Sequence, residues 1–236
     1  GIRTSDPPKI ELGGRPHATS WARPDGSGSI DLHWTIPDTG AAERAWSVVW
    51  RDAEVVSLAG CDVRVGSTAF RALNVALHAV HHGPAEPKPL EDLRRAIDQL
   101  DDDTWNAASR IAEELDAVAA MNLGLRLVPG GAEVAERLGI DATGATRNLL
   151  LLADGAPHVA RSWSTVLEQP TWRRRLHGAW LLAFPTADHL RAWDRGSPAL
   201  RGGVAGAYWR RLRRGASALP AAVRGLARLR RRQEDG

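Results

Sequence analysis

The hydrophobic period of the chain changes near Gly66, and this change constrains the fold more than any other feature of the sequence. Apolar and polar residues alternate from Ser29 to Ile36, which is the period of a strand with one buried face. Strong turn residues precede this run, so the sequence predicts a β-hairpin over 17–36. Beyond Gly66, apolar residues recur at three- and four-residue spacings, which are typical of amphipathic helices. The expected fold class is therefore α+β, with a small N-terminal antiparallel β-hairpin region followed by a mostly helical body.

Turn and capping residues place the other elements. A short helix over 41–51 is expected to hold Trp46 and Trp50 on one face, and a second hairpin is expected over 54–65. Ser67 is a suitable N-cap for a helix that ends near His82. Further helices are predicted over 90–100, 104–119, 132–138, 147–152, 156–167, 171–184, 200–214 and 220–232, with a shorter apolar segment over 121–128.

Composition excludes several classes of protein. With 236 residues, 43% of them apolar and 25% charged, the chain has ordinary globular usage and enough length to bury a core. Its unbroken apolar stretches reach about five residues, far below the ~20 that a membrane-spanning helix requires. The single cysteine, Cys61, excludes an internal disulfide and favours a reducing, cytoplasmic compartment.

Charge is distributed unevenly along the chain. The net charge is +3, but the segment from Arg201 onward has ten arginines against two acidic residues, whereas the rest of the chain has 21 basic and 26 acidic residues. Such a basic tail indicates either contact with nucleic acid or an anionic membrane surface, or a solvated helix face. Its apolar residues predict two amphipathic helices that dock on the acidic body and fray after about Arg230. Four arginines are the candidate contact residues: Arg210, Arg211, Arg213 and Arg214.

The strand over 29–36 carries an acidic residue and a histidine on its polar face. Alternation puts Asp31 and His33 on the same side, two residues apart. A carboxylate is disfavoured in a strand of β-branched and aromatic residues, so a metal, an arginine or solvent has to compensate for it. The same alternation predicts that Trp34 is buried and that Asp31 faces a cleft.

A histidine cluster lies at the end of the helix that follows Ser67. His78 is one helical turn from both His81 and His82, and histidines four residues apart are able to chelate a metal. No carboxylate or cysteine accompanies them on this helix, so a polar face, or a wall that contacts substrate or phosphate, is favoured over a zinc site. We expect this helix to pack beside the first hairpin, with His78 or His82 within reach of Asp31.

Three short motifs, taken in order, resemble those of a known family. They are Ser29–Thr35 (SIDLHWT), Leu77–Gly83 (LHAVHHG) and Leu90–Ala96 (LEDLRRA). Their order and spacing resemble the uncharacterised nucleotidyltransferase family of the polymerase-beta-like superfamily, whose members are mostly bacterial. The resemblance extends from about residue 13 to about residue 138.

The resemblance implies a reaction and a site. Such enzymes transfer a nucleoside monophosphate from a nucleoside triphosphate to an acceptor, with Mg²⁺ held by three carboxylates. Asp31 matches the third carboxylate and would be a catalytic residue and a metal ligand, and His33 beside it would also be catalytic. His78 and His82 would line the pocket and bind the substrate. The other two carboxylates of the family lie on a D-x-D strand after a Gly-Ser turn, and nothing before Asp31 matches them. We therefore expect an incomplete nucleotidyltransferase, either a fragment of a longer enzyme or a degenerate member of the family, that is inactive by itself.

The resemblance also suggests a division of the chain. Residues 1–66 would be the remnant of a nucleotidyltransferase β-sheet core, residues 67–140 a helical domain, and residues 141–236 a C-terminal helical region with the basic tail. Two other classes remain open from the residues themselves. One is a non-catalytic helical module that binds nucleic acid or an anionic membrane through the arginine-rich tail; the other is a scaffold that partners a biosynthetic enzyme. Salt-sensitive binding that is lost when the tail is deleted would identify the first.

Overall fold

A computed structural model describes most of the chain between Ala18 and Phe184. The described residues are 2–3, 18–23, 27–40, 42–184, 203, 206, 208–210, 213 and 217. Tertiary contacts divide the chain into two compact units. We call residues 35–155 the helical unit, and residues 1–34 together with 156–236 the terminal unit. The three-part division suggested by the sequence stays a prediction.

Strands and helices together confirm the α+β class. The strands of the described residues are β1 (Ile2–Arg3), β2 (Ala18–Ala22), β3 (Ser29–His33), β4 (Glu54–Leu58) and β5 (Cys61–Val65). The helices of the same residues are α1 (Ala42–Arg51), α2 (Thr68–His82), α3 (Pro87–Gln99), α4 (Asp102–Glu114), α5 (Val118–Leu125), α6 (Gly131–Arg137), α7 (Arg147–Ala153), α8 (His158–Leu167) and α9 (Trp172–Ala183). None of these helices has both the length and the apolar composition needed to cross a bilayer.

Both predicted hairpins form. In the terminal unit, β1, β2 and β3 make an antiparallel sheet in that order, with Ser20 opposite Asp31. In the helical unit, β4 and β5 pair so that Leu58 lies opposite Cys61. The two residues between them, Ala59 and Gly60, have φ values of 51° and 80°. Positive φ at both positions is the geometry of a two-residue turn whose twist suits a hairpin.

The apolar face predicted for the first hairpin is not buried. The exposed fractions of Ile30, Leu32 and Trp34 are 70%, 47% and 56%, so the prediction that Trp34 is buried is wrong. Alternation determines which face of a strand is apolar, but burial requires a second layer packed on that face. Burial resumes at Ile36, which belongs to the core of the helical unit.

The core of the helical unit is built around α2. This helix contacts α3, α4, α5 and α7, and its side chains Leu73, Leu77 and Val80 are buried, as the periodicity predicts. Helices α2 and α5 approach each other closely at Gly124, where an added Cβ atom would overlap the carbonyl oxygen of Ala76. The absence of a side chain at position 124 therefore lets α5 lie against the backbone of α2.

The predicted helix over 104–119 is interrupted. Helix α4 ends at Glu114, and α5 begins at Val118, with Asp116 between them at a φ of 53°. Leu115 is fully buried, and its carbonyl oxygen accepts a hydrogen bond of 3.0 Å from the backbone N–H of Gly40. A tertiary hydrogen bond thus uses a carbonyl that a continuous helix would need, and sequence periodicity does not reveal it.

Few residues of the basic tail are described. Residues 208–210 are helical, and the side chain of Trp209 is 65% exposed, so it does not belong to a buried docking face. Arg213 is exposed. Arg211, Arg214 and the predicted helix over 220–232 lie outside the described residues.

Candidate functional site

The C-terminal end of α2 concentrates imidazole side chains. The helix begins where the hydroxyl of Ser67 accepts a hydrogen bond of 3.3 Å from the N–H of Phe70, and it ends at Gly83, whose φ is 75°. The rings of His78 and His82 meet edge to face, with their centroids 4.4 Å apart. The histidines therefore form a polar face one turn long, and Ser67 caps the helix as the sequence predicts.

The environment of His78 favours its neutral form. Desolvation lowers the pKa of His78, and charge repulsion from His82 and His81 lowers it further, whereas Asp92 opposes these effects. A neutral imidazole has one nitrogen that donates a hydrogen bond and one that accepts. His78 can therefore orient a polar ligand at neutral pH without carrying a charge.

The third histidine, His81, has a carboxylate partner that sequence reasoning missed. Its Nδ1 atom lies 3.0 Å from Oδ2 of Asp38, and the exposed side-chain fractions are 35% for His81 and 17% for Asp38. Asp38 adopts a left-handed conformation, with φ at 61°, in the turn that follows Ile36. The nearby Thr39 hydroxyl donates a hydrogen bond to the Ile36 carbonyl and so helps to fix this turn.

The Asp38 carboxylate orients the ring of His81. A carboxylate at Nδ1 favours the tautomer that carries its proton there, and it fixes the plane of the imidazole. The signal in the sequence was an aspartate in a Pro-Asp-Thr-Gly segment soon after the strand, at Asp38. Its partner is 43 residues away, so no local pattern joins the two.

The first hairpin places Asp31 and His33 as alternation predicts. Both residues belong to β3, two positions apart, and both are exposed. Asp31 lies opposite Ser20 of β2, so a paired strand holds its backbone. Within the residues that the structure describes, no arginine forms an ion pair with Asp31. Exposure to solvent is enough to compensate for a carboxylate on this strand, and the metal-ligand role stays a prediction.

A comparison with protein families shows to which family the chain belongs. The sequence model of a family described as "uncharacterised nucleotidyltransferase" matches residues 9–129. The chain belongs to this family. The matched segment contains Asp31 and His33 on β3, Asp38, and the histidines of α2. No curated protein and no solved structure matches the chain significantly.

Membership of the nucleotidyltransferase family raises the question of metal ligands. Among the described residues, no group of three or more His, Cys, Asp or Glu side chains is arranged to hold a metal ion. Asp31 itself offers hard carboxylate oxygens that are exposed to solvent, and such oxygens suit Mg²⁺. One carboxylate fits the chemistry of a Mg²⁺ ion that is also bound by triphosphate oxygens, but it is not a complete site.

Two pairs of predicted site residues lie in different units. Asp31 and His33 belong to the terminal unit, whereas His78 and His82 belong to the helical unit. The composite site that would join the pairs stays a prediction.

Two other polar side chains of the helical unit have clear positions. Asp101 is the N-cap of α4: its carboxylate accepts a hydrogen bond of 2.8 Å from the N–H of Thr104, and hydrogen bonding to Thr104 lowers its pKa. The Cys61 thiol is exposed on β5.

Proposed function

We propose that this member of the nucleotidyltransferase family binds a Mg²⁺–nucleoside triphosphate and contributes to transfer of the nucleoside monophosphate to an acceptor. The observation that carries the proposal is the family match, because the matched segment includes an exposed carboxylate, Asp31, on a paired strand. His33 lies on the same side of that strand, where it can contact the metal-bound phosphates. Mg²⁺, when bound, would neutralise the charge that develops on the α-phosphate and on the pyrophosphate that leaves when the acceptor takes its place.

The histidines of α2 supply the second part of the proposal. His78 and His82 form a polar pair whose N–H groups can donate to phosphate or sugar oxygens. Asp38 holds the neighbouring His81 in one orientation, so the cluster presents a defined surface rather than three independent side chains. We propose the two roles separately: Asp31 contacts the metal in the terminal unit, and the histidine cluster of the helical unit is a polar surface suited to phosphate or sugar oxygens.

Transfer of a nucleotidyl group, with pyrophosphate as the leaving group, requires more charge neutralisation than a metal ion held by a single carboxylate provides. We therefore expect this chain by itself to bind nucleotide without turning it over. The acceptor and the cytoplasmic location suggested by the single cysteine both stay predictions.

Equilibrium binding of a non-hydrolysable nucleoside triphosphate tests the proposal, with Mg²⁺ present and then removed by a chelator. Asp31→Asn should weaken binding by about tenfold or more, and only in the presence of Mg²⁺, because losing a metal ligand costs at least as much as losing a residue that supports one. Asp62→Asn is the matched control, since Asp62 is also an exposed carboxylate on a hairpin strand.

The histidine variant tests the orienting role separately. His78→Ala combined with His82→Ala should weaken binding whether or not Mg²⁺ is present. Equal binding by Asp31→Asn and Asp62→Asn would refute the metal-ligand role, and absence of any nucleotide binding by the unaltered chain would refute the proposed function.

A further inference from the structure

Helix α9 of the terminal unit exposes a stripe of large apolar side chains. The exposed fractions of Trp172, Leu176 and Trp180 are 65%, 61% and 61%, and Phe184 follows the helix at 52%. A spacing of four residues keeps these side chains along one side of the helix. Gly178, on the opposite side, is buried. The apolar face of α9 therefore points away from the part of the protein on which the helix packs.

Arginines surround the beginning of this stripe. Arg173, Arg174 and Arg175 occupy the first turn of α9, and the helix contains no acidic residue. The guanidinium of Arg173 lies 5.6 Å from the centroid of the Trp172 ring, while Nε of Arg175 donates to the carbonyl oxygen of Gln169 at 2.9 Å. Among the described residues, no carboxylate forms an ion pair with these arginines.

Neither feature is explained by the stability of the helix. Cations in the first turn interact unfavourably with the positive end of the helix dipole, and solvent-exposed tryptophans forgo the gain from burial. The hydroxyl of Thr171, which accepts a hydrogen bond of 3.3 Å from the N–H of Arg174, is the cap that opens the helix. The arrangement is suited instead to an external partner that is apolar inside and anionic at its surface.

We propose that α9 lies in the surface of a lipid bilayer that contains anionic headgroups. Tryptophan, leucine and phenylalanine would enter the boundary between headgroups and acyl chains, while Arg173 and Arg175, which flank the stripe, would reach the lipid phosphates. Twelve residues make a helix of about 18 Å, too short to cross a hydrocarbon core of about 30 Å, so α9 lies along the surface.

The composition of the stripe favours lipid over single-stranded nucleic acid. An aliphatic side chain, Leu176, occupies its centre, where it offers no surface for base stacking. The rings of Trp180 and Phe184 lie 4.4 Å apart and tilted by 39°, so they cover one another and leave no slot for a base between them.

Co-sedimentation of the full chain with vesicles tests the proposal. One set of vesicles is phosphatidylcholine alone, and the other contains about one quarter phosphatidylglycerol. We expect binding to the anionic vesicles, weaker binding when the salt concentration rises from about 50 to about 150 mM, and little binding to the neutral vesicles.

Two variants separate the apolar contribution from the ionic one. Leu176→Ser combined with Trp180→Ser should reduce binding about tenfold or more, because affinity scales with the apolar area that enters the membrane. Arg173→Gln combined with Arg175→Gln should reduce binding roughly thirtyfold, since each basic residue near an anionic surface contributes about fivefold. The basic tail is the same in both variants, so its attraction for anionic lipid does not affect the comparison.

Matched controls use exposed residues of the helical unit. Trp50→Ser removes an exposed tryptophan from α1, and Arg110→Gln combined with Arg147→Gln lowers the net charge by the same amount as the arginine variant. Both controls should retain the binding of the unaltered chain. Nucleotide binding should be unchanged in the α9 variants, because none of the altered residues belongs to the proposed nucleotide site.

Several outcomes would overturn the membrane proposal. Equal binding of the α9 variants and their controls would show that α9 is not the contact surface, and equal binding to neutral vesicles would remove the role of the arginines. Nucleic acid would be the partner if the chain failed to bind vesicles but bound a single-stranded oligonucleotide at about 150 mM salt, and if the variant with serine at positions 176 and 180 lost that binding. A second copy of the chain would cover α9 if the unaltered protein did not bind vesicles but formed a dimer, and if the same variant were monomeric.

Discussion

Replacing Gly124 with alanine tests how α5 is seated on α2. Alanine has the highest helix propensity, and in a helix interior it is favoured over glycine by up to ~1 kcal/mol. Gly124 lies within α5, so local reasoning predicts a stabilised protein. The structure predicts the opposite, because the new Cβ would overlap the carbonyl oxygen of Ala76 on α2.

The magnitude follows from what has to move. The overlapping atom belongs to the α2 backbone, so the conflict is relieved only if the two helices separate. Overpacking a well-packed core costs roughly 1–3 kcal/mol, and an overlap with backbone atoms belongs to the upper part of that range, about 2–3 kcal/mol. Subtracting a gain in helix propensity of ~1 kcal/mol leaves a net loss of about 1–2 kcal/mol. Because α2 carries the histidine cluster, the same separation should weaken nucleotide binding as well.

Urea unfolding followed by circular dichroism at the helical band measures the change in free energy of unfolding. Gly28→Ala is the matched control, since a Cβ atom there meets no atom within 4 Å and the backbone is not left-handed. The control should differ little from the unaltered protein. A Gly124→Ala protein as stable as the original, or more stable, would refute the close approach of α2 and α5.

Two further predictions concern the histidine cluster. The pKa of His78 is lowered in the folded protein, so the unfolded chain takes up a proton at this histidine more readily than the folded protein does. The protein therefore keeps its full stability above the unfolded pKa of about 6.5 and loses stability as the pH falls below that value. As the pH is lowered from about 7.5 to about 5.5, the free energy of unfolding of His78→Gln, measured in urea, should therefore rise relative to that of the unaltered protein. A difference that does not vary with pH would contradict the lowered pKa. For the pair of Asp38 and His81, a double-mutant cycle with alanine at each position should give a coupling of about 1 kcal/mol, the value of a partly exposed hydrogen bond. Strictly additive effects of the two substitutions would show that the contact does not stabilise the fold.

Local chemistry explains the elements that sequence reasoning placed correctly. The second hairpin was predicted with the strand limits that the structure has, because its two-residue turn at Ala59 and Gly60 leaves one register for the flanking strands. The start of α2 was predicted because the hydroxyl of Ser67 satisfies a backbone N–H three residues ahead. Both interactions join residues that are close in sequence, so they are visible in the sequence itself.

Interactions between distant segments explain the errors. The break between α4 and α5 depends on the hydrogen bond between Gly40 and the carbonyl of Leu115, and the orientation of His81 depends on Asp38. The exposure of the apolar residues of β3, and of Trp34 directly after it, depends on whether another layer packs against the sheet. In each case the deciding partner lies far along the chain or in another layer, where periodicity carries no information.

The sequence by itself determined the fold class, most element boundaries and the family, because turns, caps and hydrophobic periods act over a few residues and the family motifs are short and ordered. It also placed Asp31 and His33 on one side of a strand, and His78 and His82 one turn apart on a helix, since both follow from backbone geometry. Only the tertiary structure decided that the apolar face of β3 stays exposed, that the Asp38 carboxylate orients His81, and that position 124 requires a glycine. These outcomes depend on packing between segments that the chain brings together only when it folds, and the free energy of that packing cannot be assigned to any one local pattern.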